Sequence, residues 1–250
     1  MKILVIGGTG LTGRLVTKKL KNLGHEVIIG SPSHGVDIIT GEGLSIALEG
    51  TEIVIDLSNS SSPEEENAIR FFETAAKNLV KAESAAGVKH HIVLSIVGTD
   101  DGQDIGYLRA KKLQEDHIKH SGIPFTVVRS TQFHEHTDAI IAVQGNGDKV
   151  FVSKVEYQPI ALEDVTDFIV RYALEEPKNG TVEIAGPVRG SMDDFVAKYI
   201  EITGKPTRVV SDEESKYMHL LIPAFLLVPA GQYSAGKVYF EDWALRTLET

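Results

Sequence analysis

A glycine-rich turn between an apolar strand and a helix constrains this chain more than any other feature. Residues 1–13 read MKILVIGGTGLTG, and an amphipathic helix follows that ends near Gly24. We expect Gly8, Gly10 and Gly13 to supply bare backbone and positive φ, so that a pyrophosphate can touch the main chain. The helix start adds unpaired N–H groups and a positive dipole end. The pattern predicts a strand–turn–helix unit that binds phosphate groups.

The context of this turn makes the prediction stronger than the spacing alone. A lone GxGxxG is weak evidence, and a tight turn without a ligand is the alternative, but here an apolar strand precedes the glycines and a helix follows. We therefore predict a dinucleotide site at the turn. Its expected cofactor-binding residues are Gly7, Gly8, Thr9, Gly10, Leu11, Thr12, Gly13 and Arg14.

Charge and composition exclude several classes of function. With 35 acidic against 25 basic residues and a net charge of −10, neither nucleic acid nor an anionic membrane surface is expected as a partner. The absence of cysteine excludes disulfides, thiolate metal sites and cysteine nucleophiles. The apolar run at 220–230 is too short to span a bilayer. Because Met1 leads directly into the first strand, we expect no signal peptide and a cytoplasmic protein.

Strand patterns alternate with helical patterns through the first half of the chain. The predicted strands are 3–6, 27–29, a short one near 36–38, 53–57, 92–96 and 125–128. Such alternation is typical of parallel strands joined by helices. We predict an α/β fold with a Rossmann-type doubly wound parallel sheet. In a single domain over 1–250, residues 1–130 would bind the dinucleotide and 131–250 would form a smaller C-terminal substrate-binding lobe over the carboxyl edge of the sheet.

Helix signals complete this outline. Ser62, Pro63 and Glu65 are typical of a helix start, and Gly87 of its end. A further helix is expected at 105–121. In the second half we expect helices at 136–143, 162–175 and 192–203, with strands at 150–155 and 181–185.

Tyr107 and Lys111 are the first candidates for chemistry. They are four residues apart on a predicted helix, so both side chains leave the same face. A phenol is a poor proton donor or acceptor at neutral pH, and a neighbouring ammonium lowers its pKa towards the working range. We expect Lys111 to have this effect on Tyr107.

At this point the chain resembles the short-chain dehydrogenase/reductase superfamily, in its extended and atypical branch, which includes the NmrA-like proteins. The matching segments are GGTGLTG at 7–13, IVLSIVGT at 92–99, YLRAK at 107–111, TVVRSTQF at 126–133 and PIALEDVTDF at 159–168. The resemblance implies that Tyr107 is the general acid/base and that Lys111 binds the nicotinamide ribose. It implies a carbonyl-polarising hydroxyl at Ser95, with Thr99 as the alternative.

The loop after the second predicted strand bears on the choice of cofactor. An acidic residue there would bind the NAD ribose, but the loop at 30–35 has none and instead offers Ser31 and Ser33. Because Arg14 directly follows the glycine-rich turn, NADP(H) is favoured over NAD(H). We place Asp37 beside the adenine.

The resemblance and the strand order place the remaining site residues. Ser58 and Asn59, after the strand at 53–57, are expected near the middle of the cofactor. The segment after TVVRSTQF would lie beside the substrate. Its predicted substrate-binding residues are Thr131, Gln132, Phe133 and His134.

The histidines do not predict a metal site. His134 and His136 are too close in sequence to converge on an ion, and spacing supplies no third ligand, so we expect polar lining and no metal. His90 and His91 precede a buried strand, and we expect both at the surface.

These patterns leave three functions open. The first is an NADP(H)-dependent oxidoreductase that transfers a hydride to or from a carbonyl or alcohol of a small, fairly apolar molecule, with Tyr107 moving the proton. The second is an NmrA-like dinucleotide-sensing binding protein without turnover. The third is a non-redox isomerase, lyase or hydrolase. The expected partner is a small-molecule substrate, with homodimerisation left open. The apolar stretch at 217–233 could belong to the hydrophobic core, to a lid over the substrate or to a subunit contact.

Overall fold

The computed structural model describes residues 1–62, 64–214 and 216–249. The chain forms two compact units. Unit 1 comprises Met1–Arg129 and Thr166–Val182, and unit 2 comprises Ser130–Val165 and Glu183–Thr250. That the whole chain acts as one domain with a substrate-binding lobe stays a prediction.

The elements follow one another in the alternating order of an α/β protein. The strands are β1 (Lys2–Ile6), β2 (Glu26–Gly30), β3 (Ile53–Asp56), β4 (His90–Ile96), β5 (Phe125–Ser130), β6 (Gly145–Asn146), β7 (Lys149–Ser153), β8 (Glu156–Tyr157), β9 (Gly180–Ala185), β10 (Gly190–Ser191), β11 (Arg208–Asp212), β12 (Lys216–Tyr217), β13 (Leu220–Leu221) and β14 (Ser234–Ala235). The helices are α1 (Leu11–Asn22), α2 (Leu44–Leu48), α3 (Glu65–Ala86), α4 (Gly106–Lys119), α5 (Thr137–Gln144), α6 (Leu162–Leu174), α7 (Met192–Thr203) and α8 (Phe240–Arg246).

The sheet of unit 1 has the strand order of a dinucleotide-binding fold. In it β5, β4, β3, β1 and β2 lie side by side in that order, and β1 pairs in parallel with both β2 and β3. Because the chain leaves β1 for β2 on one side and then returns to β3 on the other, the order reverses between β1 and β3. Ligands bind at such a switch point in open α/β sheets. The prediction of a Rossmann-type doubly wound parallel sheet is confirmed.

The predicted short strand at residues 36–38 is wrong. The segment begins with a 3-10 turn at Pro32–His34, and Gly35 then adopts a φ of 74°. Asp37 Oδ1 accepts hydrogen bonds from the backbone N–H groups of Ile39 and Thr40, at 2.7 and 3.3 Å. This local turn satisfies main-chain donors that a strand would pair with a neighbour. Val36 is buried in the core as a loop residue.

Helix α3 begins later than its sequence signals indicate. Glu64 precedes it in extended conformation and the helix starts at Glu65, so Ser62 is not the residue at its cap. Pro63 lies outside the described residues. The end at Gly87 is confirmed, since this residue has the left-handed φ of 72° that favours glycine.

His90 and His91 are buried, so the expectation that they lie at the surface is wrong. Strand β4 lies between β3 and β5 and is covered on both faces. His90 Nε2 contacts Thr126 Oγ1 at 2.8 Å, and burial lowers the pKa of His90 to about 4. Burial also disfavours the charge on His91, but the Glu83 carboxylate 2.9 Å from its Nδ1 outweighs this effect and raises the pKa.

Unit 2 contains small sheets and an aromatic core. Strands β6, β7 and β11 form a three-stranded sheet, and β14 pairs in parallel with Ile184 and Ala185 of β9. The Trp243 ring lies 5.5 Å from that of Tyr199 and 5.4 Å from that of Phe240. In the described part of the chain, no helix has the length and apolarity that a membrane crossing requires.

Candidate functional site

The glycine turn after β1 is shaped by close main-chain contacts. A Cβ on Gly13 would lie 2.2 Å from the carbonyl oxygen of Gly7, and one on Gly8 would lie 2.9 Å from that of Val5. Of the four glycines, only Gly7 has a positive φ, 71°, so the expectation of positive φ at Gly8, Gly10 and Gly13 is wrong. The later glycines are needed for space, which lets α1 start directly against the turn.

The first turn of α1 offers free donors for an anion. Gly10 is the N-cap residue of α1, and in the described structure no side chain caps the first N–H groups of the helix. The first turn carries no acidic residue, and Arg14 adds a positive charge within it. An uncapped, glycine-lined helix start of this kind binds phosphate groups.

A cavity of about 230 Å³ lies at the carboxyl ends of β1, β2 and β3 in unit 1. Its lining includes six of the predicted cofactor-binding residues: Gly7, Thr9, Ser31, Asp37, Ser58 and Asn59. The Ser58 hydroxyl is buried and has no hydrogen-bond partner among residues 1–62, 64–214 and 216–249. A buried hydroxyl without a partner is unusual in a folded protein, so Ser58 is a candidate for contact with a ligand group.

Polar side chains cluster beside this cavity after β2. The Ser31 hydroxyl contacts the Ser33 hydroxyl at 3.1 Å and His34 Nδ1 at 2.9 Å. Sequence reasoning found both serines but missed His34, which the 3-10 turn brings back onto Ser31. Asp37, expected beside the adenine, does line the cavity, with its carboxylate bonded to the following turn.

Tyr107 lies next to the same cavity. Its phenol donates a hydrogen bond to Asn59 Oδ1, and its ring packs edge-on against Phe72 at 5.9 Å. Burial raises the pKa of Tyr107 to about 12, although the bond to Asn59 opposes this shift. The expected lowering of the Tyr107 pKa by Lys111 is therefore not found.

Lys111 has other partners. Its ammonium donates to the Leu94 carbonyl at 2.8 Å and to Gln114 Oε1, and it stands 4.7 Å over the centre of the Phe72 ring. Phe72 thus contacts both Tyr107 and Lys111, which confirms that they share one face of α4. Burial lowers the pKa of Lys111 to about 8, against the attraction of Asp56 and Glu115.

Two buried residues that sequence reasoning missed continue this network. Gln114 Nε2 donates to Asp56 Oδ2 at 2.8 Å, and Asp56 Oδ1 accepts from the backbone N–H of Ser58 at 2.9 Å. A polar residue at the carboxyl end of an apolar strand is a signal that could have identified Asp56. Gln114 carries no such signal.

Both candidates for the carbonyl-polarising hydroxyl donate hydrogen bonds to other groups of the protein. Ser95 Oγ donates to Glu115 Oε1 at 2.6 Å, and Thr99 Oγ1 donates to the Ile96 carbonyl at 2.6 Å. Glu115 also binds Arg129, at 2.7 Å, and Lys119, at 2.8 Å. Burial acts to raise the pKa of Glu115, but these partners outweigh it and the pKa is lowered.

The four predicted substrate-binding residues lie in unit 2. Thr131 is buried, and its hydroxyl is unpaired within the described chain. Gln132 Oε1 accepts from the Tyr217 phenol at 3.2 Å, and the Phe133 ring stacks on His136 at 5.2 Å. His134 is buried with Nε2 bonded to the Pro159 carbonyl at 2.9 Å, and burial lowers its pKa to about 4. Across the described positions, no three His, Cys, Asp or Glu residues form a metal-binding group.

The fold and the cavity at its switch point define a dinucleotide-binding Rossmann protein. A family model described as NAD(P)H-binding matches residues 7–177. The chain belongs to this NAD(P)H-binding family, and its resemblance to the atypical branch of the short-chain dehydrogenase/reductase superfamily is confirmed.

The proteins similar to this chain include an assembly factor and reductases. Photosystem II assembly factor Ycf39 of Synechocystis is 24% identical over 228 residues, which cover 84% of this chain and 70% of that protein. A (4-alkanoyl-5-oxo-2,5-dihydrofuran-3-yl)methyl phosphate reductase of Streptomyces griseus is 28% identical over 149 residues, or 54% of this chain and 49% of that protein. The structure of dTDP-4-dehydrorhamnose reductase from Bacillus anthracis in complex with NADP matches with a TM-score of 0.73. It covers 100% of this chain and 99% of that one at 14% identity, so it shows the fold alone.

Proposed function

We propose that this protein is an NADP(H)-dependent reductase that delivers a hydride to the carbonyl of a small, fairly apolar molecule. One observation carries the proposal. The phenol of Tyr107 donates to Asn59, and Asn59 lines the cavity that begins at the glycine turn. The proposal takes this phenol as the proton donor and the adjoining cavity as the nucleotide site.

The residues of this cavity fit a dinucleotide. The uncapped start of α1 would hold the pyrophosphate, and Ser58 would supply its buried, unpaired hydroxyl. Ser31 and Ser33, with Arg14, would favour the 2′-phosphate of NADP(H), since no acid is present at 30–35 to repel it. When bound, the nicotinamide supplies the hydride.

The environment of Tyr107 keeps its phenol protonated, the form that carbonyl reduction needs. A phenol with a pKa of about 12 stays protonated at neutral pH. It could then donate a proton to the oxygen of a carbonyl as that oxygen gains charge. Asn59 accepts the single hydrogen of this phenol, which would turn to the substrate oxygen when a carbonyl binds.

The proposal is tested by following NADPH oxidation with a panel of small aldehydes and ketones. We expect turnover in the wild type, and a loss of about 100-fold or more in Tyr107→Phe with NADPH affinity unchanged, because the proton donor is removed and the cavity kept. Tyr239→Phe, at an exposed position, is the matched control. Equal turnover in the wild type and Tyr107→Phe would contradict the assignment.

A second candidate, a dinucleotide-sensing binding protein without turnover, is favoured by a different observation. The Ser95 hydroxyl is bonded to Glu115 and the Lys111 ammonium to Gln114, so neither presents the arrangement that the resemblance implies. Relatives such as Ycf39 are named as assembly factors. Tight NADPH binding with no oxidation across the panel, together with a co-purifying protein, would favour this candidate.

A further inference from the structure

A continuous line of hydrogen bonds joins Lys111 to the turn that lines the nucleotide cavity. Lys111 Nζ donates to Gln114 Oε1, and Gln114 Nε2 donates to Asp56 Oδ2 at 2.8 Å. The other Asp56 oxygen accepts from the backbone N–H of Ser58 at 2.9 Å. Ser58 and Asn59 belong to the cavity wall. The line therefore ends at the turn of residues 57–59.

The partners in this line depend on one another. Lys111, Gln114 and Asp56 are all buried, where an unpaired charge is strongly unfavourable. The Gln114 amide accepts with its oxygen and donates with its nitrogen. It can therefore bridge the Lys111 ammonium, which needs an acceptor, and the Asp56 carboxylate, which needs a donor. Replacing the amide with an apolar group would leave both charges without this partner.

The turn at 57–59 also sets the direction of the proton donor. Tyr107 donates to Asn59 Oδ1 at this turn. A change in the turn would therefore move a cofactor contact and the partner of Tyr107 together.

We propose that Gln114 and Lys111 are positioning residues that act through Asp56 to hold the 57–59 turn in its cofactor-binding shape. This inference rests on the proposed function, since it takes the cavity to be the NADPH site. It gives Lys111 a role that differs from direct contact with the cofactor ribose.

The charge of Lys111 gives this proposal a pH-dependent readout. The charged groups that influence Lys111 are Asp56 on β3 and Glu115 on α4, and Asp56 also interacts with His91 on β4. Burial lowers the pKa of Lys111 to about 8. Above that pH the ammonium loses its proton and donates more weakly to Gln114, so NADPH binding should weaken between pH 7 and pH 9.

The experiment is a fluorescence titration of the full chain with NADPH. We expect the Kd to rise about 10-fold in Gln114→Leu and in Lys111→Met, a loss on the scale of one buried, charge-assisted hydrogen bond. Lys112→Met is the matched control, because Lys112 bonds Asp116 at 2.7 Å on the same helix. Gln114→Glu keeps an acceptor for Lys111 but cannot donate to Asp56 when ionised, so it should behave like Gln114→Leu.

The wild-type pH profile keeps the test decisive if the buried variants fold poorly. A several-fold rise in Kd from pH 7 to pH 9, lost in Lys111→Met and retained in Lys112→Met, supports the proposal. A flat wild-type profile, or folded Gln114→Leu with wild-type affinity, overturns it. NADPH binding without carbonyl reduction would contradict the reductase and leave the positioning role standing, whereas a wild type that does not bind NADPH contradicts both.

Discussion

Gly13 shows how one position can fix the geometry of a binding turn. Its φ is ordinary, so the requirement for glycine comes from space alone: an added Cβ would lie 2.2 Å from the Gly7 carbonyl oxygen and 2.7 Å from Gly8 Cα. Both neighbouring atoms are main chain and cannot rotate away. Any side chain here would push α1 off the turn.

Gly13→Ala should therefore lose both stability and nucleotide binding. We expect unfolding free energy to fall by about 1–3 kcal/mol, the usual range for overpacking, with NADPH affinity reduced because the helix start moves. Chemical denaturation and a fluorescence titration measure the two effects. Gly231→Ala is the control, since an added Cβ there meets no atom within 4 Å. Equal behaviour of the two variants would contradict this reading of the turn.

At this scale the sequence predicts the residue types of the site better than their partners. The glycine turn, Ser58, Asn59 and Tyr107 could be chosen from spacing and position after a strand. The bond from Tyr107 to Asn59 and the bridge through Gln114 could not, because each joins residues that are close only after β3 and α4 pack together. The role of Lys111 followed the resemblance, and the structure gives its ammonium different partners.

Helix α4 joins the candidate site to the sheet through two buried networks. Tyr107 and Lys111 lie on one face against Phe72, and Glu115 binds Ser95 of β4 and Arg129 of β5. The helix is therefore held by charged side chains as well as by apolar packing.

Glu115→Gln should destabilise unit 1. Removing one partner of a buried ion pair costs about 3–5 kcal/mol, and among the described residues Arg129 would then keep Asp100 as its anionic partner. The folded pKa of Glu115 is lowered, so its contribution is present above the unfolded value near 4.3 and is lost as the pH falls through the folded value. Denaturation at pH 7 should thus separate the wild type from the variant, and the difference should shrink on acidification. Asp116→Asn, at a partly exposed pair with Lys112, is the control and should cost under about 1 kcal/mol.

The strands of unit 1 were predictable where apolar runs were long enough, and the loop after β2 shows the limit. Val36 and Ile38 have strand-like alternation, but Gly35 and the Asp37 side chain favour a turn that satisfies the backbone locally. The burial of His91 has a similar cause. The residues around His91 in the sequence give no sign that Glu83, eight residues earlier on α3, will be the partner of its side chain.

For the molecule as a whole, the parts that the sequence specifies least are those of unit 2. The α/β alternation of unit 1 follows from periodicity, while unit 2 combines short strands with an aromatic cluster whose contacts join distant residues. The substrate roles of residues 131–134 accordingly stay predictions. What the fold and the family establish is that the chain is a Rossmann-type protein of an NAD(P)H-binding family.

Calorimetric titration of the purified protein with NADPH, and then with NADH, tests this central claim most directly. We predict saturable one-to-one binding of NADPH, weaker binding of NADH, and loss of both in Gly13→Ala, because the phosphate cradle is common to the two cofactors. Absence of heat from either dinucleotide at millimolar concentration, with the protein folded, would contradict the account.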